Sequence, residues 1–279
     1  MPELPEVETV VRDLRAHALE GAVIREVAVR WPRTVAGMSP AVFAKSLKGR
    51  TVVAASRRAK YIVLDLGSGD HVLIHLRMTG KLHFAVADEP VGKHDHVVIT
   101  FTDGRRLVFN DTRKFGRLQF VADSADDPLR GLGPEPLEDA FTSEVLRRRL
   151  EGKARPIKPL LLDQTTVAGL GNIYVDEALW QARIHPERRA NTLTRAESRR
   201  LHAAIRDVLQ RGIDNCGTTL GTGADNFYSV AGHRGRNADA LNVFRRDGLP
   251  CPRCGTLIAR IVVGQRGTHF CPRCQPPVL

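Results

Sequence analysis

Residues 251–274 read CPRCGTLIARIVVGQRGTHFCPRC, two CPRC knuckles with sixteen residues between them. Paired C-x2-C units at this separation fit a zinc ribbon, in which Cys251, Cys254, Cys271 and Cys274 give one structural Zn2+ ion a tetrahedral thiolate set. Disulfide pairing of the same residues is disfavoured in a reducing compartment. Between the knuckles, TLIARIVV, GQRG and THFC read as strand, turn and strand, which sets Arg266 at a hairpin tip. An arginine on a metal-stiffened tip suits a phosphate or groove contact, and an ordinary solvated turn would carry one as well. Cys216 stands apart and reads as a structural free thiol.

From Arg234 onward the chain has eight arginines, no lysine and two aspartates, and the 279 residues together carry a formal charge of +11. Such a balance points to a polyanionic partner, nucleic acid before an anionic membrane, because no helix is both basic and richly apolar on its opposite face. Aromatic residues make up only 5% of the chain, too few for the stacking platforms of a single-strand RNA reader. No apolar run reaches about 18 residues and no basic, then apolar, leader opens the sequence. The expectation is a cytoplasmic protein.

Moving to the other end, MPELPEVETVVRDLRAHALEG opens with proline second and glutamates third and sixth. Val7, Val10, Val11, Leu14 and Ala18 follow helical spacing, and Gly21 supplies a stop. Pro5, Glu6 and Glu8 suit a helix start. A second reading stays open: with Met1 removed, Pro2 becomes a secondary amine, titrating near pH ~8 and able to attack an electrophilic carbon.

Between these ends the pattern changes twice. Residues from about 22 to 122 alternate apolar and polar in runs such as YIVLDL, VLIHL, HVVITF and RLVFN, with a hairpin signal at Asp103 and Gly104, as a β-sandwich or barrel requires. DSADDPLRGLGPEPLED then breaks the periodicity and reads as a hinge over 123–140. From Phe141 the pattern is helical. Thr194 and Glu197 form a capping box ahead of Leu201, Ile205, Val208, Leu209 and Ile213 on one face. Gly169 and Gly171 bracket a turn before Asn172, where small residues would let backbone amides approach a phosphate at a helix start, or would simply join two helices.

Four separated motifs, PELPEVET at the start, RRAKY at 57–61, GLGNIY at 169–174 and QRGTHFCPRCQ at the end, together with KHDHV, GPEPL and IKP, resemble the bacterial formamidopyrimidine-DNA glycosylases along the whole chain. The resemblance implies an α+β multidomain fold. Its parts would be an N-terminal β-sandwich catalytic domain with a leading helix (1–122), the hinge, a helix–two-turn–helix DNA-binding domain (141–233) and a zinc-finger hairpin (234–279). It also implies a monomer acting on damaged double-stranded DNA in the nucleoid, as a base-excision-repair glycosylase and AP lyase for oxidised purines. Pro2 would be the nucleophile, Glu3 the acid at the sugar ring oxygen and Glu6 a support, with Lys60 and Arg266 gripping phosphate and assisting elimination. His94, Arg113, Lys153, Lys158 and Asn172 would contact DNA. Met78, Arg113 and Phe115 would fill the space left by the extruded base. Leu4 favours the purine branch over the related endonuclease VIII branch, which commonly begins PEGPE. The stretch 221–240, where a loop would cover the extruded base, departs from the family's usual wording. A zinc-ribbon protein that binds damage without catalysis predicts the charge and the cysteines but not the N-terminal Pro-Glu.

Overall fold

The computed structural model describes residues 1–67, 69–86, 88–122, 127–223 and 226–277. The chain divides into two compact units, Met1–Arg130 with Asn215–Ala238, and Gly131–Asp214 with Asp239–Leu279.

Unit 1 begins with helix α1 (Leu4–Ala16) and continues through β1 (Ile24–Val29), β2 (Val35–Ala36), α2 (Pro40–Leu47), β3 (Ala54–Arg58), β4 (Tyr61–Asp65), β5 (His71–His75), β6 (Lys81–Ala85), β7 (Asp95–Phe101), β8 (Arg106–Asn110) and β9 (Arg117–Val121). The strands form two sheets, ordered β1-β7-β8-β6 and β2-β9-β5-β4-β3. Every pairing is antiparallel except β2 with β9. The inward positions of both sheets join α1 and α2 in one apolar core that includes Val7, Leu14, Phe43, Ile62, Ile74, Phe101 and Phe109. This is the sandwich that the alternating runs require.

Three local features differ from the sequence expectation. Helix α1 ends at Ala16, capped by the His17 N–H on Asp13 and Arg15 carbonyls, so Ala18 is exposed at φ +50° and Leu19 enters the core instead. Gly21, at φ +85°, bonds its N–H to Val52 O in the turn that follows. Helix α2 interrupts the strand region. Its signal was present, since Ser39 accepts the Val42 N–H as N-cap and Pro40 follows at the first helical position.

Unit 2 contains α3 (Ser143–Leu150), α4 (Ile157–Leu162), α5 (Asn172–Ala182), α6 (Arg195–Asp214), and the hairpin β10 (Ala259–Val263) and β11 (Arg266–Phe270). The Thr194–Glu197 capping box is formed, with Thr194 N–H donating to Glu197 at 2.8 Å and Glu197 N–H to Thr194 Oγ1 at 3.2 Å. Helix α6 packs on α3 and α5, and α5 on β11. Asn215–Ala238, assigned by sequence partly to the helical domain, clusters with unit 1, where Val230 joins the sandwich core. Residues 123–126 of the expected hinge, and 224–225 of the expected lesion loop, lie outside the described residues. Among the described residues no helix is long and apolar enough to cross a membrane.

Candidate active site

Pro2 is buried while Met1 is half exposed. Glu3, 2% exposed, is the N-cap of α1 and forms a capping box with Glu6. Glu6 is equally buried, and its two carboxylate oxygens accept from different places, Oε2 from Glu3 N–H and Oε1 from Thr218 N–H, both at 2.8 Å. One side chain thus ties the start of α1 to the start of the 217–235 segment. Gly217 permits the approach, because a Cβ there would lie 2.8 Å from the Phe227 ring and 3.1 Å from Glu6 Cγ. Farther along, Thr219 Oγ1 donates to Phe227 O at 2.7 Å and accepts from Gly235 N–H at 2.8 Å, which closes the segment on itself.

Lys60 lies in the two-residue turn between β3 and β4 and is buried rather than solvated. Its neighbour Tyr61 pairs with His75, which pairs on its other side with Arg117. The His75 ring accepts the Arg77 N–H at Nδ1 (3.0 Å) and meets Tyr61 edge-on at 4.7 Å. Burial, followed by the charges of Arg77 and Lys60, pushes His75 down to about 3, so the imidazole stays neutral.

Beyond His75, Met1, Arg77, Met78, Phe115 and Arg117 line a cleft of about 390 Å3. Met78 and Phe115 are 41% and 47% exposed and line this one cleft together, the paired exposed apolar side chains that an insertion element needs. The exposed Arg113 guanidinium lies 5.0 Å over the Phe115 ring. The three expected void-fillers therefore sit at one end of the sandwich. His94, also in unit 1, has a buried Nδ1 with no hydrogen-bond partner among the described residues.

In unit 2, Arg266 is exposed at the first position of β11, next to a turn with Gly264 at φ +57° and Gln265 at φ +62°. Lys153 is exposed. Asn172 heads α5 and donates its amide to Gly267 O at 2.9 Å. Before it, Gln164 accepts Gly169 N–H (3.0 Å) and donates to Leu170 O (2.9 Å), bracing the expected glycine turn. Lys158 corrects the expectation of a direct DNA contact. Fully buried, it donates to Asp176 at 2.6 Å and to Gly267 O at 3.1 Å, so it acts inside the domain and not at its surface.

The acids that organise this unit were missed. Asp176 holds Lys158 with one oxygen and the His269 N–H (2.9 Å) with the other. Glu177 accepts the N–H groups of Asn242, Val243 and Phe244 at 2.8–3.0 Å, anchoring the chain that leads into the ribbon. Their signal was the Asp-Glu pair inside the otherwise apolar NIYVDEALW, since acids on a buried helix demand partners.

The four ribbon sulfurs lie within 4.8 Å of one another, and three of their separations are 3.5, 3.5 and 4.0 Å. A tetrahedron with Zn–S bonds of ~2.3 Å has edges of ~3.8 Å, so the set fits one structural zinc ion. Trp180 Nε1–H points at Cys251 Sγ (3.4 Å) and Cys274 N–H at Cys271 Sγ (3.4 Å), the donors expected around thiolates. Cys216, by contrast, is an exposed thiol at φ +57° and not part of a core.

Three family descriptions match in chain order: the Formamidopyrimidine-DNA glycosylase N-terminal domain over residues 1–118, the Formamidopyrimidine-DNA glycosylase H2TH domain over 132–223, and the zinc finger found in FPG and IleRS over 248–277. The formamidopyrimidine-DNA glycosylases of Protochlamydia amoebophila and Enterococcus faecalis are 43% and 47% identical, covering 99% of this chain and 99% and 97% of theirs. Among solved structures, a Lactococcus lactis FPG mutant in complex with a Fapy-dG containing DNA superposes with a TM-score of 0.90 at 40% identity. The Lactococcus lactis Fpg complex with an abasic site containing DNA gives 0.89 at 40%, and MutM in complex with carbocyclic 8-oxo-G containing DNA gives 0.89 at 39%. Each covers 99% of this chain and 100% of the other. A sandwich, a helical domain and a four-cysteine hairpin, in this order and with relatives matched end to end, make the chain a member of the formamidopyrimidine-DNA glycosylase family.

Proposed function

We propose that the protein is a bifunctional glycosylase and AP lyase that removes oxidised purines, 8-oxoguanine and formamidopyrimidines, from duplex DNA. The observation that carries this reading is the N-terminus itself: a buried proline one residue ahead of a buried acid that caps α1 and is held by Glu6. The relatives crystallised on Fapy-dG, 8-oxo-G and abasic-site DNA support the substrate class.

Once Met1 is gone, the Pro2 nitrogen offers its lone pair to C1′ of the damaged nucleotide and the glycosidic bond breaks, the base leaving with the bonding pair. The nitrogen then gives up its proton. Glu3 protonates O4′ as the C1′–O4′ bond opens, and C1′ becomes an iminium. That positive centre acidifies C2′–H, whose loss expels the 3′ phosphate, and a second elimination expels the 5′ phosphate. Zinc, when bound, stiffens the hairpin and takes no part in these steps. Lys60, Lys153, His94, Arg113, Asn172 and Arg266 serve the phosphates.

Borohydride reduction of enzyme mixed with an 8-oxoguanine:cytosine duplex should yield a covalent adduct mapping to the N-terminal peptide. A form retaining Met1 should bind DNA without trapping, because an amide nitrogen has no basic lone pair. An adduct at Lys60, or faster excision of thymine glycol than of 8-oxoguanine, would overturn the assignment of nucleophile or substrate respectively.

A further inference from the structure

We infer that Asp111 is the positioning residue for the void-filling side chains, an inference that rests on reading Met78, Arg113 and Phe115 as the residues that enter the duplex. Asp111 is fully buried in the turn between β8 and β9. Its Oδ1 accepts from Thr79 Oγ1 at 2.5 Å and from Arg113 N–H at 3.2 Å, and its Oδ2 accepts from Gly116 N–H at 2.7 Å. Those three donors are the residue after Met78, Arg113 itself, and the residue after Phe115. One carboxylate therefore joins the loop after β5 to the loop before β9. Its own backbone is fixed in turn, the N–H on His94 O at 2.9 Å and the carbonyl on His96 Nε2 at 2.8 Å.

The two loops need such a tie. The residues directly before Met78 and Phe115 are Arg77 at φ +55° and Lys114 at φ +61°, left-handed conformations that side-chain-bearing residues hold only when their surroundings over-determine them. Lys114 is clamped on its other side, its Nζ 4.0 Å over the Trp31 ring. There is no slack either. A Cβ on Gly116 would lie 2.3 Å from Phe109 Cζ, and one on Gly80 would lie 2.5 Å from Leu76 O. Three donors converge on Asp111, and an amide could not accept them all, since its nitrogen would face an N–H with another N–H. The carboxylate sets where Met78 and Phe115 stand before DNA arrives, so less ordering is left for the moment of insertion.

The test compares base excision from an 8-oxoguanine duplex with cleavage of a preformed abasic site, which needs no base extraction. Asp111→Asn, and the milder Thr79→Val in case the first fails to fold, should each slow excision by about tenfold, the rate equivalent of one lost hydrogen bond, and abasic cleavage by much less. In a Met78→Ala/Phe115→Ala background, where only Arg113 remains to be positioned, Thr79→Val should slow excision by clearly less than it does in the wild type. If Asp111→Asn and Thr79→Val slow both substrates alike, or if the effects add fully in that background, Asp111 is only a fold element and the inference is wrong. If Met78→Ala/Phe115→Ala leaves excision unchanged, the void-filling reading has failed and the inference falls with it.

Discussion

Lys158 Nζ lies 2.6 Å from Asp176 Oδ1, and both side chains are wholly excluded from solvent. The other Asp176 oxygen accepts the His269 N–H and the lysine also donates to Gly267 O, so the pair holds the strand that begins with Arg266. Replacing Lys158 with methionine strands a buried carboxylate and should destabilise the protein by about 3–5 kcal/mol, read from denaturant unfolding. Lys158→Met/Asp176→Leu removes both charges and should lose less than either single change. A single variant of near wild-type stability would show that water reaches the pair.

The same wiring links metal to grip. Cys271→Ser should bind substoichiometric zinc by metal analysis and loosen the hairpin, while the unit 1 sandwich, which has its own core, keeps its unfolding transition. Arg266→Ala should leave zinc in place and lower the slope of log K against log salt by ~0.9, one phosphate contact. An unchanged slope would take Arg266 out of the contact set.

Much of this was legible from sequence because it rests on local rules. The cysteine spacing, the Thr194–Glu197 box, the hairpin at Asp103 and Gly104 and the tip position of Arg266 each depend on a few neighbouring residues. What was not legible depends on contacts distant in the chain. The resemblance makes Lys158 a DNA contact until the fold buries it against Asp176, and no local pattern singles out Asp111, whose partner Thr79 lies 32 residues away. Likewise the 215–238 segment follows a helix in sequence, yet Thr218 reaches back to Glu6 across 212 residues and Val230 joins the sandwich core.

His75 makes a pH prediction. Burial, then Arg77 and Lys60, lowers it in the folded protein to about 3, whereas in the unfolded chain it titrates near its ordinary 6.5. Above the unfolded value the neutral ring is common to both states and its contribution is intact. As pH falls below that value the unfolded chain takes up a proton that the folded chain refuses, so stability is lost progressively down to about 3. Between pH 7 and pH 5 this amounts to about 2 kcal/mol. His75→Asn keeps an acceptor for the Arg77 N–H and should flatten that part of the stability profile. Profiles that stay parallel would mean that His75 titrates normally.

The two N-terminal acids should separate by what they hold. Glu6 accepts one N–H with each oxygen, and Glu6→Gln offers a single acceptor, so either Glu3 or Thr218 is left with a buried, unpaired N–H. That should reduce stability by about 1–3 kcal/mol. Because the start of α1 and the 217–235 segment are released from each other, borohydride trapping and base excision should slow together. Glu3→Gln keeps size and removes the acid, and its hydrogen-bonding role at the helix cap needs only an acceptor, which glutamine retains. It should therefore leave the melting temperature nearly unchanged, abolish excision of 8-oxoguanine, and slow cleavage of abasic DNA less, since no base has to leave. If Glu6→Gln is as stable as the wild type while Glu3→Gln unfolds, the support and the acid have been assigned the wrong way round.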